Sequence, residues 1–302
     1  MKNWDDRKKA KMADLALIIV AVLWGGGFVA VKDALSSVTP MYLMTFRLGI
    51  ATSMFLFIPR FLKGLNWKDF WNALPVGVML FLAFTAQAYG AVFTEPSVQG
   101  FLASTYVILV PLLYWAFYRK MPQSKVFLAC VIILIGIGLV SLSENFKFNP
   151  GDVLTLLCAL LYAFHILLIE RATKKVDVIK LAFLQFAIAT VCFGIGSLVL
   201  EPFPTAMTSR TWIVLLYAGI LSTFFCFGMQ TVAQKYTSST RVSLFLSLES
   251  VFAALFGVLL LGNQLRGIQI VGFVLIFSAV LLIEIDWKSV LRARHAGSIK
   301  RK

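Results

Sequence analysis

Three ionisable residues stand inside long apolar stretches: Arg47 in "MTFRLGIA", His165 in "LYAFHILL" and Glu249 in "FLSLESVF". A charged side chain at the centre of a bilayer-spanning helix costs roughly 2.5–3.5 kcal/mol on insertion scales, so such positions carry function or tightly satisfied structure. Arg47 follows Pro40 by seven residues, about 10 Å along a helix at 1.5 Å per residue. Its guanidinium could neutralise a carboxylate or phosphate of a bound molecule, or pair with a carboxylate. Equally, its five donors could anchor neighbouring helices through backbone carbonyls. Glu249 lies eight residues after Arg241; it could take up and release a proton, or bond an adjacent helix as a neutral or paired group. His165 is the only histidine inside an apolar stretch. It could shuttle protons near neutral pH, or be a satisfied neutral hydrogen-bond partner.

Uncharged polar and aromatic residues accompany these three. Gln87 and Gln230 each carry two donors and two acceptors, which suits a zwitterionic or polar ligand; as interhelical glue they would serve packing alone. Tyr89, Thr85 and Thr231 lie close to them along the chain, and Ser104, Thr105 and Tyr106 form a run of hydroxyls. Trp24 and Tyr162 could wall a cavity and stack on a ligand, or simply pack. Pro111 cannot donate to the Val107 carbonyl, so a helix through "STYVILVPLL" is expected to bend there. The bend would serve as a hinge or gate element, or as a passive packing kink. Gly26 and Gly27 in "LWGGGFVAVK" allow close helix approach and bending.

These residues must be positioned by membrane-spanning helices. Hydrophobic residues make up 60% of the 302, and charged ones only 14%, against nearly half and about a quarter in a soluble domain. Ten apolar runs are long enough to cross ~30 Å of hydrocarbon. They lie near 12–34, 40–58, 71–93, 97–118, 124–143, 152–171, 178–199, 211–233, 242–261 and 266–285. The first run is too long for a signal peptide and is followed by further spans. The predicted class is an all-α integral membrane protein with ten transmembrane helices.

The net charge of +14 is distributed as a topology signal rather than as a nucleic-acid surface. Of 28 Lys and Arg, 23 fall in the N-terminal segment, the even-numbered connections and the C-terminal tail, three fall in the odd-numbered connections, and Lys32 and Arg47 lie within runs. Basic residues gather on the cytoplasmic side, so both termini are expected in the cytoplasm, with attraction to anionic lipid as a by-product. Trp67, Trp71 and Trp287 read as interfacial anchors.

The chain also resembles itself. At an offset of 138, Asp14 meets Asp152, Trp24 meets Tyr162, Gly27 meets His165, Lys32 meets Glu170 and Arg47 meets Gln185; at 143, Phe84 meets Phe227, Gln87 meets Gln230 and Tyr106 meets Glu249. Five spans per copy would invert the second copy relative to the first, an architecture of many secondary transporters. The expected organisation is 12–143 as the first repeat, 152–285 as the second and 286–302 as a basic cytoplasmic tail.

"LWGGGFVAVK", "FRLGIA", "FTEPSVQGFLASTYVILVPLLYW" and "YTSSTRVSLFLSLESVFAALFGVLLLGNQL" resemble the EamA branch of the drug/metabolite transporter superfamily. The resemblance implies two inverted five-helix repeats, cytoplasmic termini in an inner membrane, and export or exchange of small polar metabolites such as amino acids. Where that family usually reads Glu-Pro, this chain has Glu249-Ser250, so a straighter ninth helix is expected here.

Several functions are set aside by what the sequence lacks or scatters. No GxxxxGK[ST] phosphate loop occurs, so transport would be driven by a gradient or by exchange. The four cysteines all fall inside runs and show no metal-ligand spacing, and buried free cysteine behaves as a small hydrophobe; no cofactor or metal is expected. The rival reading is a membrane-embedded enzyme acting on lipid-linked substrates, but Glu95, Glu144, Asp152 and Glu201 are scattered among the outer connections. A channel would need a broad polar lining, which is not evident. The expected partners are a small-molecule substrate and the lipid bilayer, with protons and a second copy of the chain left open, and no nucleic acid.

Overall fold

The structure is a computed structural model, and it describes residues 4–58, 64–141, 149–205, 207–252, 255–256 and 266–284. The expected tail at 286–302, Trp287, Glu144 and the end of the ninth run lie outside the described residues. Those that are described form helices and connections, with no strand among them.

The helices are α1 (Trp4–Gly25), α2 (Gly27–Ala34), α3 (Pro40–Ser53), α4 (Trp67–Phe93), α5 (Pro96–Ser104), α6 (Tyr106–Tyr118) and α7 (Ser124–Ser141). They continue as α8 (Pro150–Ala172), α9 (Val178–Leu200), α10 (Ser209–Leu216), α11 (Cys226–Ala233), α12 (Ser239–Leu246) and α13 (Gly267–Glu284). Among the described residues, six helical stretches are long and apolar enough to cross a membrane: Pro40–Phe57, Trp67–Phe93, Val98–Tyr118, Pro150–Ala172, Val178–Leu200 and Ser209–Ala233. Ser124–Val140 and Gly267–Val280 are shorter apolar helices.

Helix starts follow local chemistry. Pro40, Pro96 and Pro150 open α3, α5 and α8, where the missing N–H costs nothing. Asn66 with Asp69, and Asn149 with Asp152, form reciprocal capping boxes that satisfy the first free amides.

Four of the apolar runs are interrupted near their middle. The first breaks at Gly26, between α1 and α2. The fourth breaks at Thr105, between α5 and α6. The eighth widens into a π-helical segment, Tyr217–Phe225, between α10 and α11. The ninth breaks at Ser247 and Leu248 before a further helical turn at 249–252.

One of these differs from the sequence expectation. The ninth run is not straight despite lacking proline. The hydroxyls of Ser243, Ser247 and Ser250 each donate to a carbonyl three residues back, and such local bonds compete with the regular helical ladder and bend it. In the fourth run, α6 continues through Pro111. The Val107 carbonyl that Pro111 cannot serve accepts from the Cys130 thiol of α7 instead, at 3.3 Å.

Close helix contacts recur at fixed offsets. A Cβ on Gly77 would sit 2.7 Å from Ile188 Cβ and 3.2 Å from the Gln185 carbonyl oxygen. One on Gly219 would sit 2.7 Å from Ile50 Cβ and 3.0 Å from the Arg47 carbonyl oxygen. Ile50 and Ile188, like Arg47 and Gln185, are 138 apart, whereas Gly77 and Gly219 are 142 apart. The offset of 143 at Gln87 and Gln230 is reached only after the π segment, and a π-bulge holds one extra residue. Thr52 and Thr190, also 138 apart, meet hydroxyl to hydroxyl at 3.0 Å between α3 and α9. Gly136 of α7 faces Gly272 O and Ile276 of α13, while Gly272 faces Gly136 O and Val140.

Candidate functional site

A cavity lies among the interrupted helices, with a volume of about 50 Å³. At roughly 10–15 Å³ per water, that is room for a few waters and not for a metabolite. Its wall is drawn from α1, α2, α3, α4, α5, α6, α8, α12, the π segment and α11. The breaks at Gly26 and Thr105, the π segment and the interruption at Ser247 therefore all fall on residues that border the space or stand next to those that do.

Arg47 is only 5% exposed. Its Nε donates to Thr223 Oγ1 at 2.7 Å and one terminal nitrogen donates to Ser222 Oγ at 3.2 Å. Its guanidinium carbon stands 4.7 Å from the centre of the Phe84 ring. It makes no ion pair among the described residues, so a buried positive charge borders the cavity with hydroxyls and a ring face against it and no carboxylate paired to it. A desolvated charge without a counter-charge is costly, and an anionic group entering the cavity would relieve that cost.

The hydroxyls holding Arg47 are presented by the π segment. Thr223 Oγ1 also donates to the carbonyl of Ala218, five residues back. Ser222 uses its backbone carbonyl as well, accepting from the indole Nε1 of Trp24 at 2.7 Å. Tyr217, at the start of the segment, donates its hydroxyl to the Leu23 carbonyl at 2.7 Å. The Tyr217 oxygen lies 3.2 Å from where a Cβ on Gly26 would stand. The interruption of the first run is thus bonded directly to the widened turn that orients Arg47. Tyr217→Phe is expected to remove about 1 kcal/mol of stability and to leave the protein folded. Thermal unfolding in detergent would check this; no change at all would mean the Tyr217 bond is not made.

Glu249 is 4% exposed. Its Oε1 accepts from Ser104 and from the Tyr106 hydroxyl, both at 3.3 Å. Both donors flank the Thr105 interruption, so the break in the fourth run turns two hydroxyls toward the ninth. Tyr106 and Tyr162 rings stand 6.5 Å apart, Tyr162 stacks on Phe227 at 6.3 Å, and Trp24 tilts against Phe227 at 4.7 Å. Aromatic faces therefore line the space between the arginine and glutamate sides.

The two glutamines stand differently. Gln230 donates through Nε2 to Gln234 Oε1 at 3.2 Å, and Gln234 donates to the Ile166 carbonyl. This chain fixes both amides and leaves Gln230 Oε1 buried with no partner among the described residues, as an acceptor beside the cavity. Gln87 lines the cavity, and its backbone carbonyl accepts from Gln99 Nε2 at 2.7 Å.

The other sequence candidates stand elsewhere. Gly27 borders the cavity and Gly26 does not. Tyr89 donates to Glu201 at 2.8 Å, and Glu201 accepts from the Met41 and Tyr42 amides at the start of α3. This places Tyr89 in a helix-capping cluster. Pro111 is buried in α6 and does not border the space.

His165 is fully buried one step behind the wall. Thr231 donates to the Phe227 carbonyl, Gln185 Nε2 donates to Thr231, and Gln185 Oε1 therefore accepts from His165 Nε2 at 3.0 Å. In the neutral ring this leaves Nδ1 as a lone-pair acceptor, and it has no partner among the described residues.

Sequence reasoning missed Gln99, Tyr217, Ser222 and Thr223. The signal was available for three of them: an amide, a serine and a threonine stand inside otherwise apolar runs, where polar groups need partners.

Together, apolar membrane-length helices and a cavity with buried polar groups on its wall, set between interrupted helices, define a polytopic membrane protein. The sequence matches the EamA-like transporter family over residues 11–142 and again over 149–285. The chain belongs to that family. An uncharacterised transporter of Archaeoglobus fulgidus is 34% identical over 92% of this chain and 87% of its own length. Protein PecM of Dickeya dadantii is 24% identical over 91% of this chain and 92% of its own. A protein of known crystal structure shares the fold, with a TM-score of 0.75, 15% identity, and coverage of 90% of this chain and 96% of that one.

Proposed function

We propose that the protein is a secondary transporter of small zwitterionic metabolites, amino acids being the type, working as an exporter or exchanger by alternating access. The observation that carries this reading is a buried Arg47, with no ion pair among the described residues, and a buried Glu249 on the wall of one cavity. Arg47 would receive the carboxylate. Glu249 and the unpartnered Gln230 Oε1 offer acceptors to an ammonium group, and the Trp24, Tyr106 and Tyr162 rings flank the side chain.

The architecture proposed with it is ten spans in two inverted repeats, 12–143 and 152–285, with both termini in the cytoplasm of a cell that exposes this protein in its inner membrane. The recurrence of the Gly77 and Gly219 contacts at offsets of 142 and 138 supports the repeat, as does the twofold family match. Because the cavity is only about 50 Å³, admission of a metabolite requires it to widen. The interruptions at Gly26, Thr105 and Ser247 are where helix halves can tilt without breaking a full ladder of hydrogen bonds.

The test is counterflow in liposomes holding purified protein and a panel of amino acids, amines and carboxylates. Exchange of zwitterions above their amine and acid analogues is the expected result. Absence of any counterflow, with turnover of a lipid-linked substrate, would sink it in favour of a membrane-embedded enzyme. Glu249→Gln keeps an acceptor oxygen for Ser104 or Tyr106 but removes the titratable charge. Uptake driven by a pH gradient is expected to fall at least about tenfold while exchange persists, since a neutral amide cannot carry the proton. Unchanged pH-driven uptake would make Glu249 a structural bond.

A further inference from the structure

Gln234 does not border the cavity, but it is bonded to a residue that does. It stands at the end of α11 and is buried. Its Nε2 lies 2.7 Å from the carbonyl oxygen of Ile166 in α8. That oxygen can only accept, so the Gln234 amide has one allowed orientation; turned over, it would set two oxygens against each other. Its Oε1 therefore faces Gln230, one turn earlier, and must be met by a donor. Gln230 supplies Nε2 at 3.2 Å. The second amide is fixed in its turn, with its oxygen directed away from Gln234. Gln230 borders the cavity, and its Oε1 is buried with no partner among the described residues. A backbone carbonyl of α8 thus sets, through two side chains, the hydrogen-bonding sense of a group at the cavity wall. The repeat does not impose this arrangement. Four residues after Gln87, the counterpart of Gln230, stands Ala91, whose side chain can orient no amide.

We propose that Gln234 is a positioning residue: by holding Gln230 as an acceptor, it makes the site select ligands that carry an N–H and reject quaternary ammonium zwitterions. The inference rests on the zwitterion reading and narrows it to primary and secondary ammonium groups. Charge does not make this choice. Arg47 answers the carboxylate of either kind, and Glu249 attracts either cation. The Trp24, Tyr106 and Tyr162 rings accept a methylated nitrogen as readily as a bare one. A buried neutral acceptor does distinguish them. An ammonium N–H satisfies it, whereas a trimethylammonium group covers it and leaves it unpaired. Sites with such an unpaired polar group reject analogues that lack the donor.

The experiment is competition for counterflow in liposomes, using the standard primary amino acids, each paired with its N,N,N-trimethyl derivative. The native chain is expected to prefer the primary member by at least about tenfold. Gln234→Met, close in length but without donor or acceptor, is expected to bring that ratio to about twofold. Gln230→Met should do the same, and the double variant should lower the ratio no further, because both changes remove one interaction. A merely structural role would depress both members of a pair alike, in step with thermal unfolding. Gln234→Leu is the second variant should Gln234→Met fail to fold. Absence of counterflow with any amino acid would sink the zwitterion reading and this inference with it. Counterflow by a native chain that does not discriminate within pairs would overturn the inference alone. So would a preference that survives Gln234→Met or Gln230→Met, or losses that add in the double variant.

Discussion

Arg47→Gln is expected to weaken binding of carboxylate-bearing substrates about 100-fold, or about 2.8 kcal/mol, while leaving their decarboxylated amine analogues within a few-fold. The asymmetry follows from what surrounds the guanidinium. Thr223 and Ser222 take two of its donors and the Phe84 ring covers one face, but no carboxylate pairs with it among the described residues. Glutamine can still reach one hydroxyl, so the helices stay tied; what disappears is the charge. Arg47→Lys keeps the charge but loses the planar fork, and an intermediate loss of about tenfold is expected. Counterflow with matched zwitterion and amine pairs, alongside thermal unfolding, separates the outcomes. Equal losses for both substrate types, tracking a drop in unfolding temperature, would make Arg47 an interhelical anchor.

Much of this site was legible because membrane interiors make polar residues conspicuous. Arg47, Gln87, Tyr106, Gln230 and Glu249 stood out against apolar neighbours, and all five border the cavity. What was not legible is how they are oriented. The bonds from Trp24 to Ser222 and from Tyr217 to Leu23 join residues 198 and 194 apart in sequence, a pairing that no local pattern specifies. The π segment left only a one-residue drift in the repeat offset, which a sequence alignment absorbs into the nearest loop. Proline was an incomplete guide to irregularity. α6 runs on through Pro111, with Cys130 taking the freed carbonyl, whereas the ninth run breaks without a proline where its serine hydroxyls serve its own carbonyls. Tyr89 shows the reverse error: near Gln87 in sequence, its hydroxyl is committed to Glu201.

The repeat itself yields a paired prediction. Gly77→Ala and Gly219→Ala should destabilise the protein by similar amounts, about 2–3 kcal/mol each. In both cases the new methyl would stand 2.7 Å from an isoleucine Cβ, an atom fixed to backbone that cannot swing aside. The contact is therefore relieved only by moving one helix off another, with the cost of an overpacked interior. In lipid, where close packing rather than water exclusion holds helices together, that separation is not offset by a hydrophobic gain. Transport should distinguish the two. Gly77 presses on the Gln185 carbonyl, behind the cavity wall, but Gly219 presses on the carbonyl of Arg47 itself and lies three residues before Ser222. Gly219→Ala moves both the arginine and the turn that holds it, so substrate affinity should fall at least about tenfold more than in Gly77→Ala at matched stability. Thermal unfolding and counterflow on the two variants give both numbers. Unequal stability losses would count against the repeat as the source of these contacts, and equal affinity losses would detach the π segment from the positioning of Arg47.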